Sequence, residues 1–220
     1  EDIPDGDKTT LGTVSPDEKV TAEIQAVESL VFSGKEVILH CFDDDSAVHI
    51  HVKDGDELMP GDVIGQVIGK AASILSRERV MLNLIQRLCG IATQAKVYAE
   101  LARPYGVKIL DTRKTTPGLR LLEKYAVTCG GGYNHRLNLS EGVLIKDNHL
   151  KSVESIRTAV QNIRKLDTNL PIELEVDIFD QIREGLAVGV DGFLLDNMHP
   201  NQIREAIQLI RNVAGGDSIF

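Results

Sequence analysis

From Val107 to Phe220 short apolar runs of β type alternate with helical stretches. The runs are Val107–Leu110, Ala126–Cys129, Val143–Ile145, Ile172–Val176, Gly192–Leu195 and Ser218–Phe220. Helices are predicted between them at Gly118–Lys124, Ser152–Lys165, Ile178–Val188 and Asn201–Ala214. This alternation leaves few folds open, because strands separated by helices pair in parallel through right-handed crossovers. Polar residues gather at or just past the strand ends: Asp111–Lys114, His135-Arg136, Lys146–Asn148, Glu175 with Asp177, and Asp196-Asn197. In an α/β barrel those positions form the C-terminal face, where reactive groups are placed. Six strands are too few for an eight-stranded barrel, so a smaller or incomplete one is expected.

Upstream the rhythm differs. Val20–Val27, Glu36–Phe42 and Ala47–Val52 read as strands, with two-residue alternation in Val48-His49-Ile50-His51-Val52,. Asp54-Gly55-Asp56 and Pro60-Gly61-Asp62 mark turns,. Val52–Gly69 has the look of a lipoyl-type hairpin, but no lysine occupies a tight turn, so it is read as scaffold. Ser76–Ala102 carries an apolar stripe of helical period, with Ser76 as N-cap, and Arg103-Pro104 ends it,. Arg77, Arg79 and Arg87 on that helix read first as solvated. The expected division is residues 1–104 and residues 105–220.

Charge narrows the function. Between Val107 and His149 seven basic residues face four acidic ones, a net of +3 in a chain of −9, so the remainder carries −12. A positive island in an acidic protein suits a small, heavily anionic substrate. The overall charge argues against nucleic acid, and aromatic residues at 4%, without Trp, argue against a base-stacking platform,. No apolar run approaches the roughly 20 residues of a membrane span. Cys41, Cys89 and Cys129 show no CxxC spacing, and Glu1–Asp5 do not resemble a secretory leader, so a cytoplasmic protein without disulfides is expected,.

Arg113-Lys114 and His135-Arg136 supply cationic donors, arginine as a bidentate fork and lysine as a point charge,. Gly130-Gly131-Gly132 is either a close backbone approach to a ligand or a tight turn. Lys146 is a charge donor, a Schiff-base nucleophile or a rim lysine without a role. Glu175 and Asp196 are either salt-bridge partners or carboxylates for Mg²⁺ held with phosphates or ribose hydroxyls. His40, His49 and His51 read as solvent-facing or structural. No HExxH or Cys/His cluster suggests zinc.

Several longer motifs carry a resemblance. They are Glu78-Arg79 with Leu82-Asn83, Gly90–Thr93, Asp111–Leu119 (DTRKTTPGL), Lys124-Tyr125-Ala126, Gly130–Leu137 (GGGYNHRL), Ile145–His149 (IKDNH), Glu173–Asp177 (ELEVD) and Leu194–Asn197 (LLDN). On these, and on the opening Glu1–Thr10, the chain resembles the quinolinate phosphoribosyltransferases. The resemblance implies an N-terminal α/β sandwich followed by a seven-stranded α/β barrel, in a homodimer or hexamer. It implies a reaction of quinolinate with 5-phosphoribosyl 1-diphosphate and Mg²⁺, giving nicotinate mononucleotide, CO₂ and diphosphate. Carried over by position, Arg113, His135, Arg136 and Lys146 form a cationic ring that holds quinolinate and phosphates, with Thr112 and Lys114 in the same ring. Lys114, Lys146, Glu175 and Asp196 are the implied catalytic residues, and Glu175 and Asp196 the implied metal carboxylates. Arg79 is implied to reach the neighbouring subunit's site. The family pattern also has a helix before Glu1, and after Phe220 a Gly-rich phosphate loop, a seventh strand and a closing helix; the chain is therefore expected to be incomplete. The competing readings are a transferase for nicotinate or a related aromatic acid, a Schiff-base lyase using Lys146, and a barrel that binds without turnover.

Overall fold

The computed structural model describes residues 2–42, 46–166, 169–213 and 215–220, and its contacts divide it into two units, residues 1–137 and 138–220. Glu1, the first residue of the resembling segment, lies outside the described residues. In the first unit α1 (Lys8–Thr13) starts at Asp7, whose carboxylate accepts from the Thr10 amide at 3.0 Å,. β1 (Lys19–Gln25) leads to β2 (Leu30–Val31), α2 (Lys35–Cys41), β3 (Ala47–Ile50), β4 (Glu57–Leu58) and β5 (Val63–Lys70). β1, β5 and β3 form an antiparallel sheet in that order, while β2 pairs with β4. The stretch Val52–Gly69 is thus not a hairpin, since β4 and β5 belong to different sheets. Its turns are where the sequence puts them, with Gly55 and Gly61 both at φ +94°,.

Glu36–Phe42 is helical rather than extended. A carboxylate from 20 residues away starts the helix: Asp54 accepts from the Gly34 and Lys35 amides at 2.7 and 3.1 Å, satisfying donors that a helix N-terminus otherwise leaves unpaired. The apolar residues Val37, Ile38, Cys41 and Phe42 then pack into the core together, at i, i+4 spacing,.

α3 (Ala71–Ala102) follows β5 without a loop. It begins five residues before Ser76, whose hydroxyl donates back to the Ser73 carbonyl at 3.1 Å, so Ser76 is an interior residue and not the N-cap,. Ile74, Met81 and Ile85 of α3 share a core with Ile64 and Val67 of β5, Ile38 of α2 and Phe32 just after β2. Full burial of such side chains stabilises by about 1.5–3 kcal/mol each.

α4 (Arg120–Cys129) absorbs the predicted strand Ala126–Cys129. The strand contact instead comes three residues beyond the triple glycine's first member, where Tyr133 bridges Leu110 in parallel. Gly130 is there for packing, because a Cβ would collide with the Ala92 carbonyl and the Ala95 methyl of α3. Gly131, at φ +83°, turns the chain. The triple glycine is therefore a packing and turn element.

The second unit follows its predicted order closely. β6 (Val143–Ile145), β7 (Ile172–Val176) and β8 (Gly192–Leu195) form a parallel sheet in that order. α5 (Asp147–Leu150) and α6 (Ile156–Arg164) connect the first pair, α7 (Phe179–Val188) the second, and α8 (Pro200–Arg211) follows β8. The predicted helix end Ala214 lies outside the described residues. Ser218 belongs to a 3₁₀ turn, Gly216–Ser218, rather than a strand. Phe220 does join the sheet: its amide donates to the Asp191 carbonyl at 3.2 Å and its carbonyl accepts from Phe193 at 2.8 Å, as a parallel neighbour does. One sheet face buries Ile145, Ile172, Leu174, Val176 and Phe193 against Val160, Ile182 and Ala206. By two-residue alternation Leu144, Lys146, Glu173, Glu175, Leu194 and Asp196 lie on the other,.

Candidate active site

Two loops in the first unit carry its predicted site residues other than Arg79, and both are anchored at Asp111. That residue ends the bridged segment at Leu110, and its own amide donates to the Tyr133 carbonyl at 3.0 Å. Its carboxylate accepts from the Lys124 ammonium and, at 2.9 Å, from the His135 amide. With its amide oriented by the hydrogen-bond network, Asn134 donates to the second carboxylate oxygen at 2.6 Å and to the Lys124 carbonyl at 2.9 Å. Lys124 also reaches the Arg136 carbonyl at 3.4 Å. The ion pair is sealed: its side chains are 2% and 6% exposed. Lys124, counted in the positive island, is therefore neutralised inside the protein.

Between those anchors the loops present the rest. The Lys114 amide donates to the Thr112 hydroxyl at 3.0 Å, a local turn that leaves both residues at the surface,. Arg113 is half-buried, and its Nε is buried with no hydrogen-bond partner. A buried donor without an acceptor is costly, and an anionic ligand would satisfy it. His135 and Arg136 are half-buried on the second loop. Arg79 is exposed on α3, and among the described residues it forms no ion pair. Arg87 is exposed, as read from sequence, and also pairs with the buried Glu123 at 2.6 Å.

In the second unit Lys146 and Glu175 meet. They lie past β6 and near the end of β7, neighbouring strands, and the ammonium sits 2.9 Å from the carboxylate. This pair is more open, at 39% and 16% exposure. The Lys146 amide donates to His149 Nδ1 at 2.9 Å, which fixes the turn into α5. Asp196 follows β8, one strand further, where its amide donates to the Val176 carbonyl at 2.9 Å. Its carboxylate accepts from the Asn197 side chain at 2.8 Å, and Asn197 adopts a left-handed conformation at φ +51°. Asp196 and Glu175 thus lie at adjacent strand ends on the same sheet face.

The donor chemistry suits a hard divalent cation shared with a phosphate ligand. Among the described residues no group of three His, Cys, Asp or Glu forms a self-sufficient metal cage. Mg²⁺ needs none, since it is held through one or two carboxylates and completes its shell with substrate oxygens and water. Cys41, Cys89 and Cys129 are free, and burial pushes each thiol up, away from nucleophilic thiolate,. His40, His49 and His51 are exposed, as expected. Among the described residues no helix is long and apolar enough to cross a membrane.

Residues 7–89 match the quinolinate phosphoribosyl transferase N-terminal domain and residues 91–219 its C-terminal domain. A Bacillus subtilis protein named probable nicotinate-nucleotide pyrophosphorylase (carboxylating) is 44% identical over 213 residues, 95% of this chain and 73% of that one. The Mycobacterium leprae nicotinate-nucleotide pyrophosphorylase (carboxylating) is 41% identical over 207 residues, 92% of this chain and 73% of its own. The crystal structure of NadC from Streptococcus pyogenes superposes with a TM-score of 0.89 at 39% identity, covering 96% of this chain and 76% of that one.

Proposed function

The chain belongs to the quinolinate phosphoribosyltransferase family, and from that premise we propose that it transfers the phosphoribosyl group of 5-phosphoribosyl 1-diphosphate to quinolinate, with decarboxylation. The products are nicotinate mononucleotide, CO₂ and diphosphate, a step of NAD biosynthesis. One observation of the site carries the reading: Arg113, with its unsatisfied buried Nε, on a loop tied to the loop of His135 and Arg136.

The chemistry requires no protein nucleophile. The pyridine nitrogen of quinolinate supplies the electron pair for the new bond to ribose C1, and the old C1–O pair departs with diphosphate. The ring is then a pyridinium, able to accept the pair released when the 2-carboxylate leaves as CO₂; a proton from solvent replaces it at C2. Catalysis is accordingly placement and charge stabilisation. Arg113, His135 and Arg136 hold the dianionic quinolinate, with Thr112 and Lys114 on the same loops donating to anionic groups. Lys146 acts as a point charge that exchanges Glu175 for phosphate oxygens. Glu175 and Asp196 accept from ribose hydroxyls and stabilise positive charge growing at C1, and they are the residues that would hold Mg²⁺. When bound, Mg²⁺ neutralises part of the departing diphosphate's charge.

Arg79, an exposed cation that forms no ion pair among the described residues, is assigned to the neighbouring subunit's site in a homodimer or larger assembly. Free thiols and the absence of a disulfide among the described residues support a cytoplasmic location,.

Arg113→Ala and Arg136→Ala test the assignment. Each removes charge-assisted hydrogen bonds worth about 1.5–3 kcal/mol, so the KM for quinolinate rises by roughly tenfold to a hundredfold. Unchanged kinetics in both variants would overturn it. The rival Schiff-base chemistry is separated by borohydride in the presence of a carbonyl substrate, which labels Lys146 only if that rival is correct.

A further inference from the structure

Three side chains of α4 grip both cationic loops. Arg120, Glu123 and Lys124 are spaced i, i+3, i+4 and so share one side of the helix,. The Arg120 guanidinium donates to the Thr115 hydroxyl at 3.1 Å, the Leu137 carbonyl at 3.3 Å and the Arg113 carbonyl at 3.5 Å. One planar fork thereby spans the first loop and the end of the second. Glu123 accepts from the Thr116 amide at 3.1 Å, and Arg87 bonds both that carboxylate, at 2.6 Å, and the Thr116 hydroxyl, at 2.5 Å. Lys124 bonds Asp111 at the root of the first loop and the Arg136 carbonyl in the second. The bonds that these three side chains make to the loops fall on backbone groups, a hydroxyl or the Asp111 root. The Arg113 Nε is not among the groups gripped.

We propose that this side of α4 is a positioning clamp for phosphoribosyl transfer, with Arg120, Glu123 and Lys124 fixing residues 111–116 and 134–137 so that Arg113 and Arg136 meet the anionic substrate in a set geometry. The proposal rests on the activity assigned above. None of the three touches substrate; each acts through a loop that does. Arg120 is the sharpest member, because its role depends on shape rather than charge. A lysine there keeps the positive charge, but its donors radiate from one nitrogen and cannot span acceptors that Arg120 meets with three separate nitrogens,.

Arg120→Lys and Arg120→Met in the full-length protein separate the two roles. A misplacement of about 1 Å at reacting groups costs roughly a hundredfold. Both variants should therefore lose about 10- to 100-fold in kcat/KM for quinolinate. Amide hydrogen exchange in residues 112–116 and 134–137 should accelerate in both, while the amides of α4 stay protected. Full activity in Arg120→Lys would show that charge alone matters and would overturn the clamp, as would unchanged exchange in the two loops. A wild-type protein silent with quinolinate would remove the assigned activity, and the exchange comparison would still decide whether α4 holds the loops.

Discussion

Two lysine–carboxylate pairs among the candidate site residues and their supports occupy different settings. Lys124 and Asp111 are 2% and 6% exposed, and the carboxylate also takes the His135 amide. Lys146 and Glu175 are 39% and 16% exposed. The first pair has no route to exchange partners, because separating it would strand two charges in a low-dielectric interior. The second can trade its carboxylate for a phosphate oxygen with little loss, since partly solvated pairs contribute about 0–1 kcal/mol. Burial, rather than residue type, distinguishes these two lysines, and the open one is the one we propose serves the reaction.

The largest effect that sharpens this contrast is on stability. Lys124→Met leaves Asp111 buried without its cation and should lower the unfolding free energy by about 3–5 kcal/mol, read by urea denaturation. Lys146→Met should change stability by less than about 1 kcal/mol. It should lower kcat by about 10²–10³-fold, the usual consequence of removing one preorganised charge donor. Equal destabilisation by the two substitutions would erase the distinction.

How much of this was legible beforehand depended on where the determining contact lay. In the second unit the strands Val143–Ile145, Ile172–Val176 and Gly192–Leu195 fall where the apolar runs put them, because each run is short, β-branched or aromatic, and bounded by polar residues. Lys146, Glu175 and Asp196 follow directly from those ends. In the first unit local pattern misled over two elements, besides the Ser76 cap and the Val52–Gly69 hairpin. Glu36–Phe42 has β-type residues, yet Asp54 caps it as a helix from across the fold; the i, i+4 pairs Val37–Cys41 and Ile38–Phe42 were the signal available. The β-type tail Ala126–Cys129 simply continues α4, since Gly130 must reach α3 before the chain can turn. Arg120 and Lys124 counted as part of a positive island, whereas their hydrogen bonds run inward to the loops, a distinction that composition cannot make.

A smaller effect concerns pH. Burial alone would push the Glu123 carboxyl up, but bonds from Arg87 and Thr116 outweigh it and hold it below the usual carboxylate value. A depressed carboxyl adds stability that is full above the unfolded glutamate range, near about 4.3, and is lost as pH falls through the lower folded value. Wild type should therefore lose stability on acidification through that window more steeply than Glu123→Gln. Identical acid profiles would remove Glu123 from the clamp's electrostatics and leave Arg120 and Lys124 to carry it.

The central claim, decarboxylating transfer to quinolinate, is tested most directly by product stoichiometry. The full-length protein is supplied with 5-phosphoribosyl 1-diphosphate, Mg²⁺ and quinolinate labelled in its 2-carboxylate, and nicotinate mononucleotide and labelled CO₂ are followed together. Equal amounts of both, with no product when nicotinate replaces quinolinate, are the predicted result. Mononucleotide formed from nicotinate without CO₂, or no product from either acid, would contradict it.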